Sequence, residues 1–289
     1  MSDSARRFCF TSGPVRGEWV DLSDSFHTVI SQHHYPPKKT RMLGELLSVA
    51  VLLTSTMKFE GEMTVQLETT GAISMLVAKC SHEFRVRAFM NWDKEAPPEA
   101  VEQSFNQGKL VVTVKKVDNT ISYQSMVPLE GSSVSAALEH YFLQSEQLPT
   151  RFWFAVTDKK VVGLMLQRLP LKAGESPDAT QHLWEEVCHL TDTIKPAELL
   201  KWKLETLLKN MYAEHDIEVF ESRKIWFGCT CAPERMEQAV FTLGPVESKL
   251  LIEQGGTVDV TCQYCGKSYD FDAIALKRIF AAQQNQSAE

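Results

Sequence analysis

The sequence predicts an α+β protein. An N-terminal, mostly antiparallel sheet domain with packed helices is followed by a helical linker and a small C-terminal unit built around cysteines. Three observations carry this expectation. Near residue 61 the apolar spacing changes from a helical period to strict alternation, and the alternating runs are separated by turn residues. Beyond residue 178 the helical period returns. Four of the seven cysteines then stand in two close pairs after residue 228.

Composition bounds the rest. The chain has 289 residues, 44% hydrophobic and 23% charged, enough apolar content for a true core. At roughly 100–200 residues per domain the length suits one large domain and something smaller. The net charge of −7 disfavours DNA or RNA as a generic partner, because phosphate neutralisation needs surplus Lys and Arg. No apolar segment follows Arg6-Arg7, so no secretory signal is expected. The most apolar stretch, Leu46 to Leu53, is far shorter than the ~20 residues that cross a bilayer. The expectation is a cytoplasmic protein with no membrane partner. In that reducing setting, clustered cysteines indicate metal or redox chemistry.

The elements follow in order. Residues 20–60 read as helical. Leu22, Phe26, Val29 and Ile30 share a face, and Pro36-Pro37 ends that helix. A second helix, Thr40 to Met57, is apolar around most of its circumference and should be buried. Met63, Val65 and Leu67 then alternate with Thr64, Gln66 and Glu68 as a strand. Further strands are expected at Phe84–Met90, Leu110–Val117, Ile121–Val127, Arg151–Thr157 and Val161–Leu169, with a helix over Ser132–Gln144. The Lys172–Asp178 loop closes a core domain, 1–178. A linker, 179–228, carries helices over 179–190 and 196–212. Leu199, Leu200, Leu204, Leu207, Leu208 and Met211 form an apolar stripe on the second helix. Asp216–Phe227 is a candidate strand. The last domain is 229–289.

That domain holds Cys229-Thr230-Cys231 and Cys262-Gln263-Tyr264-Cys265-Gly266. Zinc prefers four thiolates in a tetrahedron with Zn–S near ~2.3 Å, hence sulfurs roughly 3.8 Å apart. Two ligands reach that spacing from one turn, and a second pair closes the site. Gly266 suits the tight turn after the fourth ligand. Zn²⁺ bound once per chain by Cys229, Cys231, Cys262 and Cys265 is therefore expected. The C-x-C half is less ordinary, since its own disulfide would be a tight, reducible ring. A structural zinc ribbon and a zinc-held redox switch both fit the spacing. A nucleic-acid ribbon fits poorly. From Cys229 to Ala275 three basic residues face seven acidic ones. A thiol-disulfide oxidoreductase would want its C-x-x-C in a βαβ context. Cys9, Cys80 and Cys188 read as small buried hydrophobes. The chain has no H-E-x-x-H, G-x-S-x-G, Walker A or G-x-G-x-x-G, so no catalytic residues are expected.

With these residues in view, the chain resembles the redox-regulated heat-shock chaperones of bacteria named for their thirty-three-kilodalton mass. The order C-x-C, Glu234-Arg235, a thirty-residue gap and C-x-x-C carries the resemblance. So do Lys58-Phe59-Glu60-Gly61 before Thr64-Val65-Gln66-Leu67, Leu129-Glu130-Gly131, and Ser145-Glu146-Gln147-Leu148-Pro149-Thr150. It spans nearly the whole chain. Ala232 departs from the family's usual serine, which removes a hydrogen-bond donor beside a thiolate. The resemblance implies an ATP-independent holdase, not an enzyme. It implies a zinc-bound form that is inactive when reduced. On oxidation, disulfides form, zinc is released, the C-terminal domain and linker unfold, and an often dimeric form captures unfolding client proteins. Local pairing, Cys229 with Cys231 and Cys262 with Cys265, is expected because short loops close at lower entropic cost.

Overall fold

The computed structural model describes residues 3–33, 35–97, 108–129, 133–241 and 257–286. The chain divides into two compact units, Met1–Gly228 and Cys229–Glu289.

The first unit is built on two six-stranded sheets. The first sheet has β1 (Ser4–Phe10), β2 (Val15–Leu22), β8 (Thr150–Val156), β9 (Val161–Arg168) and β10 (Ile217–Val219), in the order β10-β1-β2-β9-β8. A short strand, β11 (Arg223–Lys224), also pairs with β1. The second sheet holds β3 (Gly61–Thr69), β4 (Ile73–Ser81), β5 (Arg85–Trp92), β6 (Gly108–Lys116), β7 (Ile121–Pro128) and β12 (Trp226–Phe227). Their order is β12-β5-β4-β3-β6-β7. Every pairing is antiparallel except β12 on β5. The α+β expectation holds.

Helix α2 (Pro37–Thr56) lies between the sheets, and every residue from Leu43 to Ser55 is buried. It packs with Val20, Leu22, Val161 and Met165 of the first sheet and with Met63, Val65, Leu76 and Val112 of the second. An all-round apolar helix finds cover only in such a position. The expected helix before it is shorter. Residues 20–22 belong to β2, and α1 spans Asp24–Ser31. Its start is set from a distance. The Asp3 carboxylate accepts the backbone N–H groups of Ser23, Asp24 and Ser25 at 2.7, 3.0 and 2.6 Å.

Strands β1, β2 and β4 were not expected from the sequence. β2 and β4 are buried on both faces, so their apolar residues do not alternate. β3 is inward-facing at every second residue, and the sequence shows it plainly. The helix expected over Ser132–Gln144 is α3 (Val134–Tyr141), capped by the Ser133 hydroxyl, which accepts from Ala136 N at 3.2 Å. Ser132 lies outside the described residues. A π-turn, Phe142–Glu146, follows and ends at Gln147 in the left-handed region. It brings the Glu146 carboxylate onto the hydroxyls of Tyr123 and Tyr141.

Residues 177–212, part of the first compact unit, cover the outer face of the first sheet. α4 (Pro177–Asp192) begins two residues before the expected helix, with Pro177 in its first turn and Ser176 as its cap. The helix expected over 196–212 is two, α5 (Pro196–Lys201) and α6 (Leu204–Met211), because Trp202 and Lys203 are extended. Leu183, Val187, Leu199, Leu204, Leu207 and Leu208 pack on Phe8, Phe10, Trp19, Leu164 and Leu166. The strand expected over 216–227 is β10, β11 and β12, which close the free edges of β1 and β5. Polar contacts pin the same layer. Tyr212 and Thr191 share a hydrogen bond of 2.6 Å, Trp153 Nε1 donates to Asp192 at 2.9 Å, and Lys160 Nζ donates to the Leu200 carbonyl at 3.1 Å. Among the described residues no helix is long and apolar enough to cross a membrane.

Candidate metal centre

The second unit consists of α7 (Pro233–Phe241), a hairpin of β13 (Val258–Thr261) and β14 (Ser268–Phe271), and α8 (Ala273–Gln286). Its core is small: Val240, Phe271, Leu276 and Ile279 are the buried aliphatic and aromatic side chains of its described residues. The two cysteine pairs sit at local turns. Cys262 and Cys265 lie in the turn of the hairpin, whose strands pair Thr261 with Ser268. Cys262 N donates to the Lys267 carbonyl and Gly266 N to the Cys262 carbonyl, both at 2.9 Å. Gly266 has φ +67°, a left-handed conformation that a side chain resists, as its position predicted. Cys229 and Cys231 precede α7, whose first turn is anchored by the Ala232 carbonyl accepting from Arg235 N at 3.0 Å. The Arg235 guanidinium reaches back to Thr230 Oγ1 at 2.7 Å.

These turns bring all four sulfurs within 4.8 Å of one another. Cys229 Sγ is 3.6 Å from Cys262 Sγ, and Cys231 Sγ is 3.4 Å from Cys265 Sγ. That is the spread of a tetrahedral thiolate set, with sulfurs roughly 3.8 Å apart around one ion. The four cysteines form a site that could hold a metal ion. The charges agree. Burial pushes the Cys229 and Cys265 thiols up. At Cys231 burial also raises, but hydrogen bonds from Tyr269 and the other three cysteines outweigh it and pull the thiol down to about 7. Four thiolates this close repel one another, so full ionisation calls for a cation, and sulfur ligands favour a soft or borderline one. The donor set fits zinc.

One feature of the site escaped the sequence. The Tyr269 hydroxyl donates to Cys231 Sγ at 3.2 Å. Its only sequence signal is its place in the alternating pattern of β14.

A sequence model described as Hsp33 protein matches residues 3–272. The chain belongs to the Hsp33 family. The 33 kDa chaperonin of Pseudomonas aeruginosa (strain LESB58) is 36% identical over 288 residues, covering 99% of this chain and 97% of that protein. That of Shewanella sp. (strain MR-4) is 36% identical over 282 residues, covering 97% and 96%. The crystal structure of the 33 kDa chaperonin from Thermotoga maritima matches with a TM-score of 0.80. It covers 98% of this chain and 99% of its own at 23% identity, and so shows the same fold. The family resemblance drawn from the cysteine order is confirmed.

The other three cysteines of this Hsp33 chain belong to the first unit. Cys80 is on β4 in the main core, and Cys188 is on α4 facing the first sheet. Burial pushes both thiols up to about 12, and it also raises Cys9 on β1. A raised thiol stays protonated and unreactive at neutral pH. Native protein treated with iodoacetamide at neutral pH should therefore leave Cys80 and Cys188 unmodified. Peptide mapping checks this, and rapid labelling of either would contradict the burial.

Proposed function

We propose that this Hsp33-family protein is a redox-regulated, ATP-independent holdase for unfolding and oxidatively damaged proteins. It is inactive when reduced and zinc-bound. The observation that carries the reading is four convergent thiols in a unit whose described residues bury only a few core side chains. When bound, zinc supplies a dication that balances thiolate charge and ties the two cysteine pairs together, so that binding energy serves as folding energy. The names of the relatives point the same way.

The chain works in three parts: a core, 1–178, a linker, 179–228, and a switch, 229–289. On oxidation Cys229 pairs with Cys231, and Cys262 with Cys265. Each pair gives two electrons to one peroxide, which takes up two protons and departs as two waters. The closest sulfurs in the structure belong to different pairs. Local pairing is favoured once the set opens, because the short loops then close first. Sulfurs held in disulfides no longer serve as ligands, the switch unfolds, and the linker follows. The exposed apolar surface binds unfolding chains in the cytoplasm without regard to their sequence, since hydrophobic attraction is non-directional. The oxidised form is a homodimer, and neither nucleic acid nor membrane is a partner.

The test is aggregation suppression by reduced and oxidised protein, with zinc measured in both. Suppression should appear only after oxidation, with zinc falling from about one equivalent per chain to nearly none. Equal suppression in both states would overturn the switch. Catalytic turnover in a disulfide-reductase assay would indicate an oxidoreductase instead. Peptide mapping that finds mainly Cys231–Cys262 would overturn the pairing.

A further inference from the structure

Tyr269 stands on β14 opposite Val260 of β13, in the hairpin whose turn carries Cys262 and Cys265. Its hydroxyl donates across the centre to Cys231, of the other pair, 38 residues earlier in the chain. The Lys267 ammonium lies 4.9 Å from the centroid of the Tyr269 ring. A cation over the ring face draws electron density from the phenol and makes its O–H a better donor. Position 232, beside Cys231, is alanine and offers no side-chain donor.

We infer that Tyr269 is a positioning residue of the metal centre: its hydroxyl orients Cys231 as a ligand and draws charge from that sulfur. The inference rests on the reading that the four cysteines hold zinc. Two physical consequences follow. A hydrogen bond to a ligand atom fixes its direction, and losing such a partner typically costs about 10–100-fold in metal affinity. A hydrogen bond to a thiolate also lowers the energy of the sulfur lone pair. Moving an electron from that sulfur to a metal then takes more energy, and the sulfur is a weaker nucleophile.

Cobalt(II) in place of zinc makes the second effect visible as a sulfur-to-metal charge-transfer band. The full-length reduced protein would be loaded with cobalt as wild type, as Tyr269→Phe and with 3-fluorotyrosine at position 269, at a pH where the fluorophenol stays protonated. Tyr269→Phe should move the band to longer wavelength. It should also weaken zinc binding by roughly tenfold in chelator competition. The more acidic fluorophenol donates more strongly and should move the band the other way. This variant keeps ring and hydroxyl, so it decides the matter even if Tyr269→Phe fails to fold. One band position in all cobalt-loaded forms would overturn the inference, including when affinity falls, since a purely structural role changes affinity without changing the sulfur. A wild type that takes up neither cobalt nor zinc would overturn the four-cysteine reading itself, and this inference with it.

Discussion

Replacing Cys262 and Cys265 together by serine should leave the C-terminal unit metal-free and unfolded. The buried aliphatic and aromatic side chains of its described residues, Val240, Phe271, Leu276 and Ile279, make a core of four. Below roughly 70–80 residues a single core rarely supplies more than about 3–5 kcal/mol. Structural zinc contributes an apparent ~10–16 kcal/mol in small thiolate domains, so on the proposed zinc reading the metal dominates the balance. Serine keeps the size of cysteine but offers no thiolate, and two ligands cannot close a tetrahedron. Elemental analysis should fall from about one equivalent of zinc per chain to none. Hydrogen exchange should show protection lost over 257–286 and kept in the two sheets, whose strands have their own large core around α2. Full zinc retention by the double variant would show that the ligands are elsewhere.

The sequence displayed some parts of this design openly and hid others, for physical reasons. β3 and α2 are legible because burial imposes a period on them: one residue in two for a strand with one face inward, and all-round apolarity for a helix between sheets. β2, β4 and β9 are covered on both faces and show no alternation. β9 is legible as a continuous apolar run, whereas β2 carries Arg16, Glu18 and Asp21, which break its run. Glu18 is buried all the same, paired with Arg7 at 2.6 Å and with the Ser55 hydroxyl. Such compensation by distant residues cannot be read locally. The same holds for Asp3 capping α1 from outside the helix. In the linker, the leucine stripe predicted one helix, but extended backbone at Trp202-Lys203 makes two. The four-cysteine cluster was legible because pairs of ligands come from single turns, where sequence spacing is spatial spacing. Tyr269 reaches Cys231 only through the fold.

An aspartate at position 207 should release the linker while the metal stays bound. Leu207 is fully buried among Phe8, Phe10, Trp19, Leu164, Leu166, Leu183 and Val187. Losing the leucine side chain costs about 2–5 kcal/mol. An unpaired carboxylate there adds several kcal/mol more unless it reaches water. The cheapest escape is detachment of α6, which has 8 residues, and of α5, which has 6. Neither is long enough to persist alone, since isolated helices shorter than ~12–15 residues are marginal in water. Phe8, Phe10, Trp19, Leu164 and Leu166 then lose the cover of α5 and α6 and open an apolar patch, while α2 still covers the other face of the sheet. The native cysteines report the change. Cys188, on α4 in the apolar cluster that α5 and α6 uncover, should become alkylated at neutral pH, and Cys80, in the main core, should stay protected. On the proposed function, reduced Leu207→Asp protein should suppress aggregation without oxidant at an unchanged zinc content. If Cys188 opens and suppression still requires oxidation, the face beneath the linker is not where clients bind, and the surface freed in 229–289 becomes the place to look.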